Sequence, residues 1–448
     1  MNNITIDNIL EMIKNKEYKN LREILNDMNP ADIAVIFEDL PEESYPILFR
    51  ILAKELAAEV FVELDSDTQE HLILGFSDNE LKEVLEELYI DDTVDIIEEM
   101  PANVVKRILR HSDKEARENI NQILKYPKDS AGSIMTIEFI DLKMDMTVED
   151  AFTRIRRIAI DKETIYTCYV IDKNRKLIGL VSVKDLLLND YSATIEEIME
   201  TNVIFVNTLD DKEEVARKFS KYDFLALPVV DNENRLVGIV TVDDAIDVIL
   251  EESTEDIEKM AAMTPTDKPY LQTGVLSTWS KRIPWLMLLM LSSTFTTIII
   301  GGYEEKLAAC TVLTSFIPMF MGTAGNAGSQ TSVAIIRALS LGEIEFRDIF
   351  KIISKELLVS FLCGLALFVV NFAKLMLFDQ VGVAISFVVS LTLLSTVVLA
   401  KFTGCILPLF AKKIGFDPAV MASPFITTIV DAMSLIIYFN IAVRVLGI

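Results

Sequence analysis

Apolar positions divide the chain into three regimes. Up to about residue 130 they recur every three or four residues, as at Ile33, Ile36, Phe37 and Leu40 and again at Val94, Ile97 and Met100. That period buries one face of a helix and predicts a series of short amphipathic helices. Between residues 131 and 250, β-branched runs alternate with polar turns, and the pattern occurs twice. YVIDKNRKLIGLVSVKDLL (169–187) aligns with PVVDNENRLVGIVTVDDAI (228–246) at an offset of 59. Each copy reads strand, helix, strand, turn, strand, helix, with DKNRK and DNENR as hairpin turns. From about residue 271 onward the chain is dominated by apolar stretches near the length of about 20 residues that a membrane span requires. Five spans are expected, at roughly 284–302, 307–335, 357–378, 383–410 and 419–446.

The predicted fold is therefore multidomain: an α-helical N domain (1–130), a tandem α/β pair (about 131–190 and 196–250), a charged connecting helix and linker (243–270) and an α-helical polytopic membrane domain (271–448). In the N domain, ADIAVIFEDLP (31–41) and DTVDIIEEMP (92–101) form a faint repeat, which suggests a small superhelical bundle. The carboxylates Asp91, Asp92 and Asp95 crowd one helix start, a placement that capping and the helix dipole favour on their own. The duplicated middle resembles a tandem pair of CBS domains. The resemblance implies a regulatory module that binds a nucleotide or an ion, although no nucleotide preference follows from these residues.

Charge sharpens the division. Residues 272–448 carry 12 basic and 9 acidic side chains, which leaves 30 basic and 59 acidic in 1–271. So acidic a soluble part argues against nucleic acid as a partner and favours cations. The first thirty residues lack the continuous apolar core of a signal peptide, so the acidic part is expected to stay in the cytoplasm. Cys168, Cys310, Cys363 and Cys405 are scattered without a CxxC pair, and His71 and His111 are the only histidines. Disulfides and zinc sites are not expected. Any metal should be a hard, oxygen-liganded ion such as Mg²⁺, Ca²⁺ or Mn²⁺. No nucleophile–base set or phosphate-binding glycine loop appears, so an enzyme is not expected.

The last span holds the most telling residue. Asp431 lies near the middle of PAVMASPFITTIVDAMSLIIYF (418–439) and shares a helical face with Pro424, Thr427, Ser434 and Tyr438, with Thr428 beside it. A charge at the bilayer centre costs at least about 2.5–3.5 kcal/mol and is usually hidden in an interior or a wet pathway. Asp431 is a cation site in such a pathway, one half of a structural ion pair, or a protonated interior carboxyl. Lys401, inside the fourth span, is the obvious partner for the second case, but its stem could equally snorkel to an interface. The second span, PMFMGTAGNAGSQTSVAIIRAL (318–339), combines glycines with the polar run from Asn326 to Ser332, and such a helix must face protein or a water-filled cavity. Basic residues flank alternate span ends (Lys281 and Arg282, Arg337 to Lys355, Lys412 and Lys413), which places the N-terminus inside and the C-terminus outside.

An acidic helical domain, a CBS pair, a charged helix and five spans, with PMFMGTAGNAG and PFITTIVD in place, together resemble the MgtE family of magnesium transporters over essentially the whole chain. The resemblance implies a homodimeric, Mg²⁺-selective, Mg²⁺-gated channel in the cell membrane, contacting lipid and importing the ion down its electrochemical gradient. It also implies that Asp431 is the principal pore carboxylate, that Ser423, Thr427 and Thr428 precede it along the path, and that Pro318, Gly325, Asn326 and Gly328 shape the pore. The cytoplasmic Mg²⁺-sensing acids would be Glu59, Asp91, Asp95, Asp211, Glu213, Asp223, Asp244, Glu252, Glu255 and Asp256. Two other functions fit the same layout. One is an ion-coupled divalent cation carrier, and the other is a membrane receptor or scaffold controlled by its CBS pair.

Overall fold

The computed structural model describes residues 5–266, 270–271, 273–421 and 423–447, and the chain forms two compact units, Met1–Ile249 and Leu250–Ile448.

The first unit begins with ten short helices, from α1 (Ile6–Lys14) to α10 (Lys114–Ile123). Alternate helices stack: α3 (Pro30–Asp39) on α5 (Lys54–Val62), α5 on α7 (Asp78–Leu85), and α7 on α9 (Ala102–His111). This is the expected superhelix. Sequence-local caps close the short helices: Asn29, Asp65, Ser77 and Asp113 each accept from a backbone N–H in the first turn. The repeated segments fall on α3 and α8 (Ile90–Glu99), whose Ile33, Phe37, Val94 and Ile97 join one buried core.

The CBS pair follows. Strands β1 (Ile140–Lys143), β2 (Thr167–Ile171) and β3 (Leu177–Ser182) form one sheet; β4 (Val206–Asn207), β5 (Ala226–Val230) and β6 (Leu236–Thr241) form the other. In both sheets the first pair is parallel and the second antiparallel. The helices of this region are α11 (Val148–Ile158), α12 (Val183–Leu188), α13 (Ile195–Ile198), α14 (Lys212–Tyr222) and α15 (Val242–Met260). The hairpin turns are built alike. Asp172 accepts from the N–H groups of Asn174 and Lys176, as Asp231 does from Glu233 and Arg235. Arg175 and Asn234 take the left-handed conformation at φ 65° and 60°; Asn accommodates this readily, Arg less so.

The two copies interlock. Thr136 exchanges backbone hydrogen bonds with Ile239 on β6 of the second sheet, and Glu200 does so with Leu180 on β3 of the first. The repeated Ile-Met pairs thus cover the other copy's sheet. A Cβ at Gly238 would lie 2.7 Å from Met135 Sδ, and one at Gly179 would lie 2.8 Å from Met199 Sδ, so both close approaches require glycine.

The second unit contains the end of α15 and the membrane helices α16 (Val275–Gly302), α17 (Glu304–Ala309), α18 (Ile317–Ser340), α19 (Ile349–Lys374), α20 (Val383–Lys413) and α21 (Ser423–Leu446). Among the described residues four stretches are long and apolar enough to span a membrane: Val275–Gly302, Phe346–Asp379, Val383–Lys413 and Pro418–Leu446. Helix α18 has 24 residues, a length of about 36 Å, but its polar run keeps it out of that group.

Two boundaries differ from expectation. The first span does not begin at Pro284; α16 runs through it from Val275, and the missing N–H leaves the Ser280 carbonyl without its helical donor. The second span does not start near 307, because Thr311–Phe316 is a 3₁₀ segment, and Pro318 opens α18 instead of breaking a longer helix. Proline costs little in a first turn, where its N–H would have no partner. Helix α20 lies at the centre, packed against α18, α19 and α21.

Candidate ion path and acidic clusters

Helices α18, α20 and α21 approach closely because glycines remove side chains where they cross. A Cβ at Gly325 would lie 3.0 Å from Thr427 Cγ2, and one at Gly328 would lie 2.8 Å from Ile426 Cγ2 and 3.3 Å from the Ala400 carbonyl oxygen. Gly404 rests directly on the Gly328 backbone. Thr427, one turn before Asp431, is therefore held against the glycine notch of α18.

Asp431 is half-buried on α21, and its Oδ1 is buried without a hydrogen-bond partner. Lys401 does not pair with it. The Lys401 ammonium, 7% exposed, donates instead to Thr331 Oγ1 at 3.3 Å. Ser434, one turn further along α21, also buries an oxygen without a partner. Thr428 donates to the Pro424 carbonyl at 3.1 Å. Tyr438, two turns beyond Asp431 on the same helical face, lies in the core. It is fully buried, and its hydroxyl donates to the Leu313 carbonyl at 2.8 Å. Its ring lies near Phe320 and Phe439 in a core where the phenol finds a carbonyl partner.

On α18, Gly322, Asn326, Gln330, Val333 and Arg337 are exposed at intervals of three and four. A polar stripe at membrane depth has no stable partner in lipid and needs another protein surface or water. The side chain of Ser423, which opens α21, lies outside the described residues.

Two groups of acids lie outside the long apolar spans. In the first unit, Asp91 and Asp92 of α8 lie in the same electrostatic neighbourhood as Glu138, Glu163, Asp243 and Asp244. Burial first, and then the charge of Asp244, pushes the Asp91 carboxyl well above its usual range. Asp92 is raised to about 7 by burial and by Asp244 and Asp243, and Glu163 to about 8 by burial and by Asp92. Asp244 is raised to about 6 by burial, against a lowering bond from Thr241. One oxygen each of Asp91 and Glu163 is buried without a hydrogen-bond partner. Repulsion of this kind is relieved by protons or by a multivalent cation.

The second group is an ion-paired set in the second unit. Lys259 Nζ lies 2.6 Å from both Glu255 and Asp417, and Asp256 accepts from Ser340 Oγ at 2.9 Å. Burial raises the Asp256 carboxyl, Asp417 adds to the rise, and Lys259 opposes it. Burial works against the Lys259 ammonium, yet its bonds to Asp417 and Glu255 outweigh that and hold its pKa above the ordinary lysine range.

Of the expected sensing acids, Asp91 and Asp244 are brought together, as are Glu255 and Asp256. Asp95 is exposed one turn beyond Asp91, Glu59 is exposed on α5, and Glu252 is half-buried on α15. Asp211 caps α14, accepting from the Glu213 N–H, and Asp223 closes that helix at φ 55°. Among the described residues no three acids, cysteines or histidines already form a metal-holding group. Sequence reasoning did not single out Glu138, Glu163, Lys259 or Asp417. For Glu138 and Glu163, isolated in loops, no local pattern could have done so.

Family models place these features in a known frame. Residues 317–441 match the MgtE model, described as a divalent cation transporter; 28–129 match the MgtE intracellular N domain; 131–190 and 195–251 match the CBS domain. The chain is 36% identical to the magnesium transporter MgtE of Thermus thermophilus over 436 residues, covering 96% of each. It belongs to the MgtE family. Its relative from Bacillus subtilis, also named a magnesium transporter, is 32% identical over 97% of this chain and 96% of its own. These MgtE relatives are transporters, not enzymes. Among solved structures, the cytosolic domain of the Mg²⁺ channel MgtE in complex with ATP is 37% identical and covers 55% of this chain and 100% of its own, with a TM-score of 0.52. The soluble part of a magnesium transporter matches at 32% identity, 55% and 98% coverage, and the same TM-score. The superhelix followed by a CBS pair is thus the MgtE cytosolic architecture, and the apolar helices behind it form the multi-pass part.

Proposed function

We propose that the protein is a Mg²⁺-selective, Mg²⁺-gated channel of the cell membrane that imports magnesium as a homodimer. The observation that carries this reading is Asp431: a carboxylate in a membrane helix with one buried oxygen unpartnered, while Lys401 donates to Thr331 instead. Two copies meeting along the polar stripe of α18 would bring two Asp431 side chains to a shared path, with Thr427 one turn before them and Asn326 alongside. Mg²⁺ sheds water reluctantly, so a path of carboxylate, hydroxyl and amide oxygens suits a largely hydrated ion. The membrane potential supplies about 2.3 kcal/mol per charge per 100 mV, hence about twice that for a divalent ion, and inward flow needs no other energy source.

Gating follows from the acidic groups. High internal Mg²⁺ neutralises the repulsion around Asp91, Asp92, Glu163 and Asp244 and in the set around Asp256, Glu255 and Asp417, which favours a compact, closed form. Low Mg²⁺ lets it loosen. The ion biases the gate only through its different affinity for the two forms. The ATP complex of the related cytosolic domain supports nucleotide binding at the CBS pair as a second input. The N domain and CBS pair lie in the cytoplasm, and the C-terminus lies outside.

The test is Mg²⁺ flux into voltage-clamped proteoliposomes, with native chain and Asp431→Ala side by side. Native flux that disappears in the variant is expected. Equal flux in both removes Asp431 from the path, and no flux in either favours a receptor.

A further inference from the structure

One buried polar group takes no part in this path. Lys401 of α20 is 7% exposed, and its ammonium donates to Thr331 Oγ1 at 3.3 Å; the same hydroxyl donates to Glu356 Oε2 of α19 at 3.2 Å. Thr331, 3% exposed, lies on α18 one turn past Gly328. A hydroxyl has one proton and two lone pairs, so accepting from lysine commits that proton to glutamate and fixes the Thr331 side chain. Three helices are thereby joined at one oxygen atom.

We propose that Lys401 and Glu356 are positioning residues that clamp Thr331 and so set the rotation of α18, turning Asn326 and Gln330 toward the ion path. The inference rests on the reading of that path given above. The two neighbours of α18 are themselves pinned together: Asn371 of α19 donates to Ser390 of α20 at 3.2 Å, and a Cβ at Gly364 would meet Leu394 at 3.2 Å. The clamp therefore references α18 to a rigid pair. Buried Phe320, Ile335 and Leu339 seat the ends of α18, while at its middle the Gly325 and Gly328 contacts set how near it approaches α20 and α21 but offer no side chain to resist rotation. A directional hydrogen-bonded chain supplies that resistance.

The charges make the contributions unequal. Removing Glu356 leaves a deeply buried ammonium with only a hydroxyl, whereas removing Lys401 leaves a half-buried carboxylate that retains its bond to Thr331. Glu356→Leu is expected to be the more damaging single change.

Lys401→Met, Glu356→Leu, the double variant, Thr331→Val and Thr331→Ser would be compared as full-length protein for thermal stability and for Mg²⁺ flux per folded dimer, with Asp431→Ala in the same series. In a cysteine-free background carrying Asn326→Cys, labelling by a membrane-impermeant thiol reagent reports the rotation of α18. The double variant removes both charges, so its stability should return to that of the native chain. Its flux should stay at least about fivefold low and its labelling slow, with Thr331→Val alike and Thr331→Ser native-like. If the double variant regains flux and labelling together with stability, the group merely compensates charge and the proposal is wrong. If Asp431→Ala keeps full flux, the path reading fails instead.

Discussion

Without divalent cations, the packing of the N domain on the CBS pair should weaken as pH rises from 5.5 to 8.5. Asp92, Glu163 and Asp244 are raised to about 7, 8 and 6, so the packed form binds protons that the unfolded chain has already lost. Between about pH 4 and 8 the native state holds the extra protons, and stability therefore falls as pH increases through this window. Keeping Asp92 ionised, against a carboxyl raised from 3.8 to about 7, costs about 4 kcal/mol at 1.36 kcal/mol per pH unit. Its neighbours titrate with it, so the individual costs do not add, and relaxation reduces them further. With about 2 kcal/mol surviving, the midpoint of thermal unfolding should fall by about 4–8 °C for a unit of this size. Acids shifted the other way do not mask the effect. Glu80, held at about 2 by Arg50 and by the Ser77 N–H, loses its contribution only in acid below this range. Scanning fluorimetry of the full-length protein in EDTA gives the pH trend, and titration in two buffers of different ionisation enthalpy gives the protons released by Mg²⁺. About one proton per bound ion is expected near pH 7. A midpoint that is flat or rising from pH 5.5 to 8.5, with no proton release, would refute the reasoning.

Three other substitutions probe separate parts of the molecule. Gly328→Ala places a methyl 2.8 Å from Ile426 Cγ2 and 3.3 Å from the Ala400 oxygen, so α18 must move away; a loss of about 1–3 kcal/mol and of most flux is expected, measured by unfolding and by proteoliposome uptake. Lys259→Gln removes the cation lying 2.6 Å from Glu255 and Asp417. Flux at low internal Mg²⁺ should rise, and closure should need less Mg²⁺ because the ion no longer competes with an ammonium; an unchanged Mg²⁺ response would disconnect this cluster from the gate. Tyr438→Phe deletes the hydroxyl bonded to the Leu313 carbonyl and should cost about 1–3 kcal/mol while leaving ion selectivity intact, which keeps Tyr438 out of the path.

The legible parts of the fold were those in which local pattern and three-dimensional role coincide. The three-and-four spacing around Ile33 and Val94 gave the superhelix, and the repeat at an offset of 59 gave two like-built sheets. Asp431 was conspicuous because a carboxylate in an apolar run is costly. The partner of Lys401 was not legible: Thr331 lies 70 residues away and is one hydroxyl among several in its helix. Glu138 and Glu163 gain significance only when folding brings them to Asp92 and Asp244. Tyr438 shares a helical face with Asp431, but spacing does not tell that this face passes into the core within two turns, where Ser434 and Tyr438 are both buried.

The exchange of edge segments within the CBS pair has a consequence for how such a duplication survives. Each half borrows a bridging residue from the other, through Thr136 on Ile239 and Glu200 on Leu180. Neither half is self-sufficient, so a truncation made after the first would strip both. The pair is therefore one folding part and not two. The loops within each half can differ in length as long as the borrowed residue still reaches its sheet, which is how the offset of 59 between the hairpins can coexist with one of 64 between the Ile-Met pairs.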